Sequence, residues 1–295
     1  MKTALKFAAV AIGGLLALAA AAAATLWLNS ERLLHRVVVV QVAAVPYATD
    51  PGAASRGRYL YASRGCQSCH GEDGAGRVFI NHPNGLFARS ANLTTGAGSA
   101  VAGYTERDWV RAIRHGVKPD GRPLFVMPSE DYNRFTDADL ADLVAHVRAL
   151  PARAAPGAEV RLPFVVRLAH GAGMLRDAAQ KIDHTQPPSQ PVPVGVSVAH
   201  GHYVAQTCIG CHGAQLAGGR IAGAPPEWPP AADLRSADGA LARYPDPEPF
   251  KRVLRTGKRP DGTVVNRAMP RNTHMNDTDL EALFLYLKST PAPTH

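Results

Sequence analysis

All four cysteines of this chain fall in two runs of one form, Cys66-Gln67-Ser68-Cys69-His70 and Cys208-Ile209-Gly210-Cys211-His212. No other feature restricts the possible folds as strongly. A Cys-x-x-Cys-His run is the pattern for covalent attachment of a c-type haem. Both thiols become thioethers, and the adjacent histidine faces the iron. A zinc site would need further ligands at nearby spacing, and a dithiol redox site has no use for the histidine. Two disulfides in an exported chain would leave both histidines without a role. The expected cofactors are two covalently bound haem c groups. Cys66, Cys69, Cys208 and Cys211 would carry them, and His70 and His212 would ligate the irons.

The surroundings of the two runs also repeat, and a repeat indicates one structural unit used twice. The stretch from Ser55 through Gly57, Tyr59 and Tyr61 to the first run matches that from Ala199 through Gly201 and Tyr203 to the second. An Arg-His-Gly segment followed by Pro-Asp-Gly and Met127-Pro128 matches Arg-Thr-Gly, Pro-Asp-Gly and Met269-Pro270. The stretch from Thr136 matches that from Asn276. Each unit is expected to run from a short helix through the haem motif to a loop, a second helix, a methionine turn and a closing helix. The first spans about 55–150 and the second 198–291. Between them, 151–197 is proline-rich and reads as an extended linker, with a possible short helix over Leu162 to Leu175.

Periodicity supports the helices. Leu140, Leu143, Val144 and Val147 recur at i, i+3, i+4, i+7, as do Leu280, Leu283, Phe284 and Leu287. Thr136 with Asp139, and Asn276 with Asp279, sit where an N-cap and its N3 partner belong, and Pro151 and Pro291 follow the two helix ends. Thr105 with Asp108 opens another helix, which Gly116 closes. A glycine at 57 and at 201 would let the first and closing helices approach closely. Trp109 and Phe250 occupy equivalent places expected to lie near the haem. Val37 to Val40 is the best strand-like run and lies outside both units.

Each iron has room for a sixth ligand. Met127 and Met269 each stand 57 positions after their histidine and just before a proline. A methionine is often only core filler, but two at matching places in a repeat point to ligation. A His/Met pair raises the reduction potential and suits electron transfer. Met275 rivals Met269, though it has no following proline and no methionine counterpart in the first unit. No other histidine holds a matching place in both units.

The N-terminal part carries Lys2 and Lys6, then an apolar run of 22 residues from Phe7 to Leu28 broken only by Gly13, Gly14 and Thr25. About 20 such residues span a bilayer core. Residues 1–30 therefore read as an uncleaved signal-anchor, with 31–54 a periplasmic linker. The alternative is a signal peptide cleaved near Ala22 to Ala24, leaving a soluble periplasmic protein. Trp27 and the charges at Glu31, Arg32 and Arg36 favour the anchor. The net charge is +8, but Lys and Arg are scattered without basic runs, so no nucleic-acid partner is expected.

With these motifs in place, the chain resembles a membrane-anchored di-haem cytochrome c with two class I-type domains in tandem. The Gly-x-Tyr lead-ins, Asn92-Leu93-Thr94 and the two Met-Pro turns carry the likeness along with the haem motifs. The second unit departs from it, with Asp233-Leu234-Arg235 where Asn-Leu-Thr stands in the first and Thr256 where the first has His115. The resemblance implies an all-α fold, two small helical domains after an N-terminal transmembrane helix in the bacterial inner membrane. It implies periplasmic electron transfer from a dehydrogenase to a soluble cytochrome or oxidase. The alternative is a haem enzyme with a displaceable sixth ligand, such as a di-haem peroxidase or a sulfur-compound dehydrogenase.

Overall fold

A computed structural model of the chain describes residues 2–222, 224, 227–235 and 240–289. Pro291, the expected stop after the last helix, and the expected end of the second unit lie outside the described residues. The architecture is mostly helical. Helix α1 (Lys2–His35) is followed by α2 (Ala53–Ser63), α3 (Cys66–His70), α4 (Glu106–His115) and α5 (Asp137–Ala149) of the first unit. Helix α6 (Phe164–Gly171) lies in the connecting segment. The second unit repeats the order as α7 (Val198–Ala205), α8 (Ile209–His212), α9 (Pro247–Thr256) and α10 (Asp277–Ser289).

Helix signals in the sequence operate as local physics requires. Thr105 accepts from Asp108 N while Asp108 returns a bond to the Thr105 N–H, a complete capping box at the start of α4. Gly116 ends that helix in the left-handed conformation. Leu140, Leu143, Val144 and Val147 are all buried in the first core, and Leu280, Leu283 and Leu287 in the second, with Phe284 packed against it.

In each unit the first and closing helices cross at a glycine. A Cβ on Gly57 would overlap the carbonyl oxygen of Asp142 in α5, and a Cβ on Gly201 would overlap that of Ala282 in α10. Both neighbours are backbone, so neither can swing away.

The strand expectation needs revision. A small antiparallel sheet of β1 (Val78–Asn81), β2 (Phe87–Arg89) and β3 (Glu159–Arg161) flanks the first unit in the order β1-β2-β3. Its strands are too short to show alternation, and β3 comes from the connecting segment, so the pairing is non-local. Val37 to Val40 forms no strand. It runs extended over the first unit, with Val38 N donating to Gly121 O at 2.8 Å and Val40 packed on Val117 and Ala179. Both linkers thus pack on structure, and α6 lies against α1.

Replacing Gly57 or Gly201 by alanine should lower stability by about 1–3 kcal/mol, the usual cost of overpacking. Thermal unfolding followed by circular dichroism checks this, with Gly103→Ala, where a Cβ meets nothing within 4 Å, as the neutral comparison.

Candidate functional site

The first Cys-x-x-Cys-His run forms α3, the second a tight turn ending at Cys208 followed by α8, and the histidine ending each is held the same way in both units. His70 Nδ1 lies 3.0 Å from the carbonyl oxygen of Ala91, and His212 Nδ1 lies 2.8 Å from that of Ala232. Only an N–H can bond a carbonyl, so each ring carries its proton on Nδ1 and presents an Nε2 lone pair. That is how metal-bound histidines are oriented. Burial pushes both imidazoles below their ordinary range and keeps them neutral. The turn closes alike behind each histidine, with Gly76 N donating to His70 O and Gly218 N to His212 O.

The thiols fit the same role. No disulfide joins them. Burial pushes Cys66 and Cys208 up to about 12, which is the opposite of what a thiolate metal ligand or nucleophile requires.

In the second unit an apolar cavity opens between Cys208, His212, Phe250, Met269 and Met275. Leucines 216, 234, 254, 283 and 287 supply most of the remaining wall. An apolar wall with a neutral histidine and a thioether suits a haem. Leu216 is held at φ 58° to reach this wall, whereas Gly74 stands at the same place in the first unit. A leucine side chain there is strained, so its packing in the cavity must offset the conformational cost. In the first unit Cys66 and Met127 lie half-buried against a core containing Trp109, Tyr132 and Phe135.

Superimposing the closing-helix starts separates the two candidate methionines. Phe135 precedes Thr136, and Met275 precedes Asn276. The carbonyl of Phe135 accepts from Arg114, and that of Met275 accepts from Arg255. Arg114 pairs with Asp137 and Arg255 with Asp277. Met275 is therefore the counterpart of Phe135, a core residue. Arg114 and Arg255 are thus engaged at these helix starts. Of the other histidines, His115 lies 3.1 Å from His184, and His200 bonds Asp279.

Tyr59 and Tyr203, the tyrosines of the two Gly-x-Tyr lead-ins, send their hydroxyls into the opposite unit. Tyr59 donates to Asp279 Oδ2 at 2.7 Å and accepts from Asn276 N. Tyr203 donates to Asp139 Oδ2 at 2.5 Å and accepts from Thr136 N. Asp139 and Asp279 are the N3 residues of α5 and α10, and Thr136 and Asn276 their N-caps. In a capping box the N3 carboxylate would bond the N-cap N–H directly. Here a tyrosine from the other unit is inserted between them, twice, with pseudo-twofold symmetry. Tyr61 stays at home and donates to Gly71 O behind the haem motif.

Two further contacts cross the junction. Arg64 pairs with Asp279 at 2.6 Å with both side chains 3% exposed. Burial raises the Asp279 carboxyl, but Arg64, Tyr59 and His200 outweigh it and hold the group below its ordinary range. Asp131, just after the Met127-Pro128 turn, accepts from Gly210 N inside the second haem motif at 2.6 Å. Burial pushes Asp131 up to about 8. The methionine turn of the first unit thus touches the haem-attachment turn of the second. Neither contact shows in the sequence, because Arg64 and Asp131 have no equivalents in the repeat. The Tyr–Asp pair does recur in both units, and that was the available signal.

Comparisons with known proteins agree with this duplicated geometry. Residues 52–147 match the family model for cytochrome c oxidase, cbb3-type, subunit III, and residues 198–291 match that for cytochrome c. The fructose dehydrogenase cytochrome subunit of Gluconobacter japonicus is 28% identical, over 85% of this chain and 56% of its own length. The alcohol dehydrogenase (quinone) cytochrome c subunit of Gluconobacter oxydans (strain 621H) is 28% identical over 82% and 56%. The gluconate 2-dehydrogenase cytochrome c subunit of Pantoea cypripedii is 29% identical over 80% and 59%. The chain spans a little over half the length of these curated relatives.

Tyr59→Phe and Tyr203→Phe each leave a carboxylate and an N-cap N–H short of a partner, and each should cost about 1–3 kcal/mol. Because both act on one junction, their effects should be non-additive in a double-mutant cycle read by thermal unfolding. Asp131→Asn keeps an acceptor for Gly210 and removes the burden of a buried acid. The raised folded pKa makes wild-type stability fall between about pH 4 and pH 8. The gain from Asp131→Asn should therefore be larger at pH 8.5 than at pH 5, measured by melting at both.

Proposed function

Since the chain carries two cytochrome c-type domains in tandem, we propose that it is a membrane-tethered di-haem electron carrier that accepts electrons from a periplasmic dehydrogenase and passes them to a respiratory acceptor. The matched histidine geometry carries this reading, because both rings are neutral, oriented by a backbone carbonyl and ready to ligate through Nε2. Cys66 and Cys69 would hold one haem and Cys208 and Cys211 the other. His70 and Met127, and His212 and Met269, are the residues that would ligate the two irons.

Bound haem supplies one-electron exchange at its iron. The protein's residues do the rest. The Ala91 and Ala232 carbonyls fix the two imidazoles and make them more basic ligands. Leu216, Phe250 and Leu283 keep water from the second cavity. Tyr59, Tyr203 and Arg64 hold the two units in one relative orientation, so that exchange between them needs no search. The contact of Asp131 with Gly210 brings the methionine side of the first unit against the attachment turn of the second.

The dehydrogenase donor is proposed from the cytochrome subunits of fructose, alcohol and gluconate dehydrogenases. Helix α1 is long and apolar enough to cross a membrane. We take it as an inner-membrane anchor that leaves both units in the periplasm. Its end is built into the protein by Trp27, Ser30 and Arg36, which fits retention.

Ligation is tested on the purified chain by a pyridine haemochrome assay and by absorption near the methionine–iron charge-transfer band. Two covalent haems per chain and low-spin iron are expected. Met269→Ala should abolish the band of the second haem and lower its potential by on the order of 0.1 V, well inside the roughly 0.8 V that axial ligands control. Met275→Leu should leave both band and potential close to wild type. The opposite pattern makes Met275 the ligand, and high-spin iron that binds cyanide readily would favour a haem enzyme.

A further inference from the structure

Helix α6 crosses the end of the apolar helix α1. Trp27 stacks on Phe164 with ring centroids 5.7 Å apart, and the Arg167 guanidinium lies 4.6 Å over the Trp27 ring. Arg167 also pairs with Glu31. Ser30 Oγ lies 2.9 Å from His170 Nδ1, and both residues are fully buried. Asn29 Nδ2 donates to Gly171 O at 2.6 Å. A Cβ on Gly171 would overlap the carbonyl oxygen of Leu26, so the two backbones touch.

These contacts all fall between Leu26 and Glu31, about 7.5 Å along α1 at 1.5 Å per residue, although α6 itself is about 12 Å long. The shorter helix therefore passes across α1 rather than alongside it. The crossing lies where the apolar run gives way to Asn29, Ser30, Glu31 and Arg32. For a membrane-spanning α1 that is headgroup level, where tryptophan settles. A helix crossing the anchor there lies in the plane of the interface.

Beyond its contacts with α1, the start of α6 and the turn after it are apolar and open. Phe164 is 54% exposed and Val165 74%, and Met174, just past the helix, is 70% exposed. Leu28 of α1 is exposed too. The patch thus continues the fully exposed apolar surface of α1, and exposed Arg32 and Arg176 flank it. Apolar side chains beside arginine at the level of a tryptophan match an interfacial amphipathic helix, whose apolar face sinks about 5–10 Å into the headgroup–acyl boundary.

We propose that α6 is a membrane-interface helix, with Phe164, Val165 and Met174 inserted into the bilayer surface as a second contact beside α1. The proposal rests on α1 spanning the membrane. Its consequence is a fixed posture for the first haem unit. Arg36, just past the end of α1, binds Asp177 through two bonds of 2.6 and 2.9 Å. Ala178 N donates to Leu124 O, and Phe125 packs edge-on against His170. Leu124 and Phe125 lead directly into Met127. The methionine side of the first unit is thereby tied to the collar at the membrane surface.

The test uses the full haem-loaded chain in phosphatidylcholine nanodiscs. Val165→Cys, Met174→Cys, Leu16→Cys and Val194→Cys are each labelled with an environment-sensitive nitrobenzoxadiazole. Labels at 165 and 174 should be blue-shifted and quenched several-fold more by lipids brominated high in the acyl chain than the label at 194, which should respond to aqueous iodide. The label at Leu16 should respond to deeply placed bromine and reports α1 on its own. Iodide access at 165 and 174 with Leu16 still quenched by lipid overturns the interface helix alone. A blue shift at 165 and 174 without lipid quenching means protein covers the patch and also overturns it. Failure of lipid quenching at Leu16 overturns the spanning helix and the proposal with it.

Discussion

The tyrosine hydroxyls inserted into the opposite unit's helix starts are the contacts on which the arrangement of the two cytochrome domains depends. An α-helix leaves its first N–H groups without partners, and the usual remedy is local. Here Thr136 and Asn276 cap Asp139 N and Asp279 N locally, while their own N–H groups go to Tyr203 and Tyr59 of the other unit. Each hydroxyl also satisfies the N3 aspartate, so neither closing helix is fully capped unless the other unit is docked. Since α5 and α10 form the back of their cores, docking and core formation reinforce each other.

The junction is symmetric in the tyrosines and asymmetric elsewhere. Asp279 collects Tyr59, Arg64 and His200, whereas Asp139 collects Tyr203. Removing one partner from a buried ion pair such as Arg64–Asp279 is costly, of order 3–5 kcal/mol. The pair therefore enforces one docking geometry even if its net contribution to stability is small. Asp131 adds a second asymmetry by placing the first methionine turn against the second haem motif. For the proposed electron carrier this matters more than strength, because the separation and orientation of the two haems would depend on it.

The same economy joins the protein to its apolar helix. Segments that read as linkers, 31–54 and 151–197, both contribute residues that pack on the first unit or on α1. The β3 strand, the tight helical turn Ala178–Lys181 and helix α6 all come from the connecting segment, and together they leave the first unit little freedom relative to α1.

Much of this was legible in the sequence. The two haem motifs, the methionine turns, the capping residues and the leucine faces are local patterns, set by covalent spacing, by the helical period and by the orphan N–H groups of helix starts. Gly57 and Gly201 could be read as close approaches because their places recur. What the sequence left open needed partners far away along the chain. The repeat already sets Met275 against Phe135, but that Arg255 and Arg114 hold the carbonyls of both in the same way needed the tertiary structure. The sheet joins strands of three and four residues across some 70 positions, too short for any periodicity. The destination of Tyr59 and Tyr203, and the crossing of α6 over α1, were decided only in the tertiary structure. There a polar group leaving water must find whichever partner the packing brings to it, however distant in sequence.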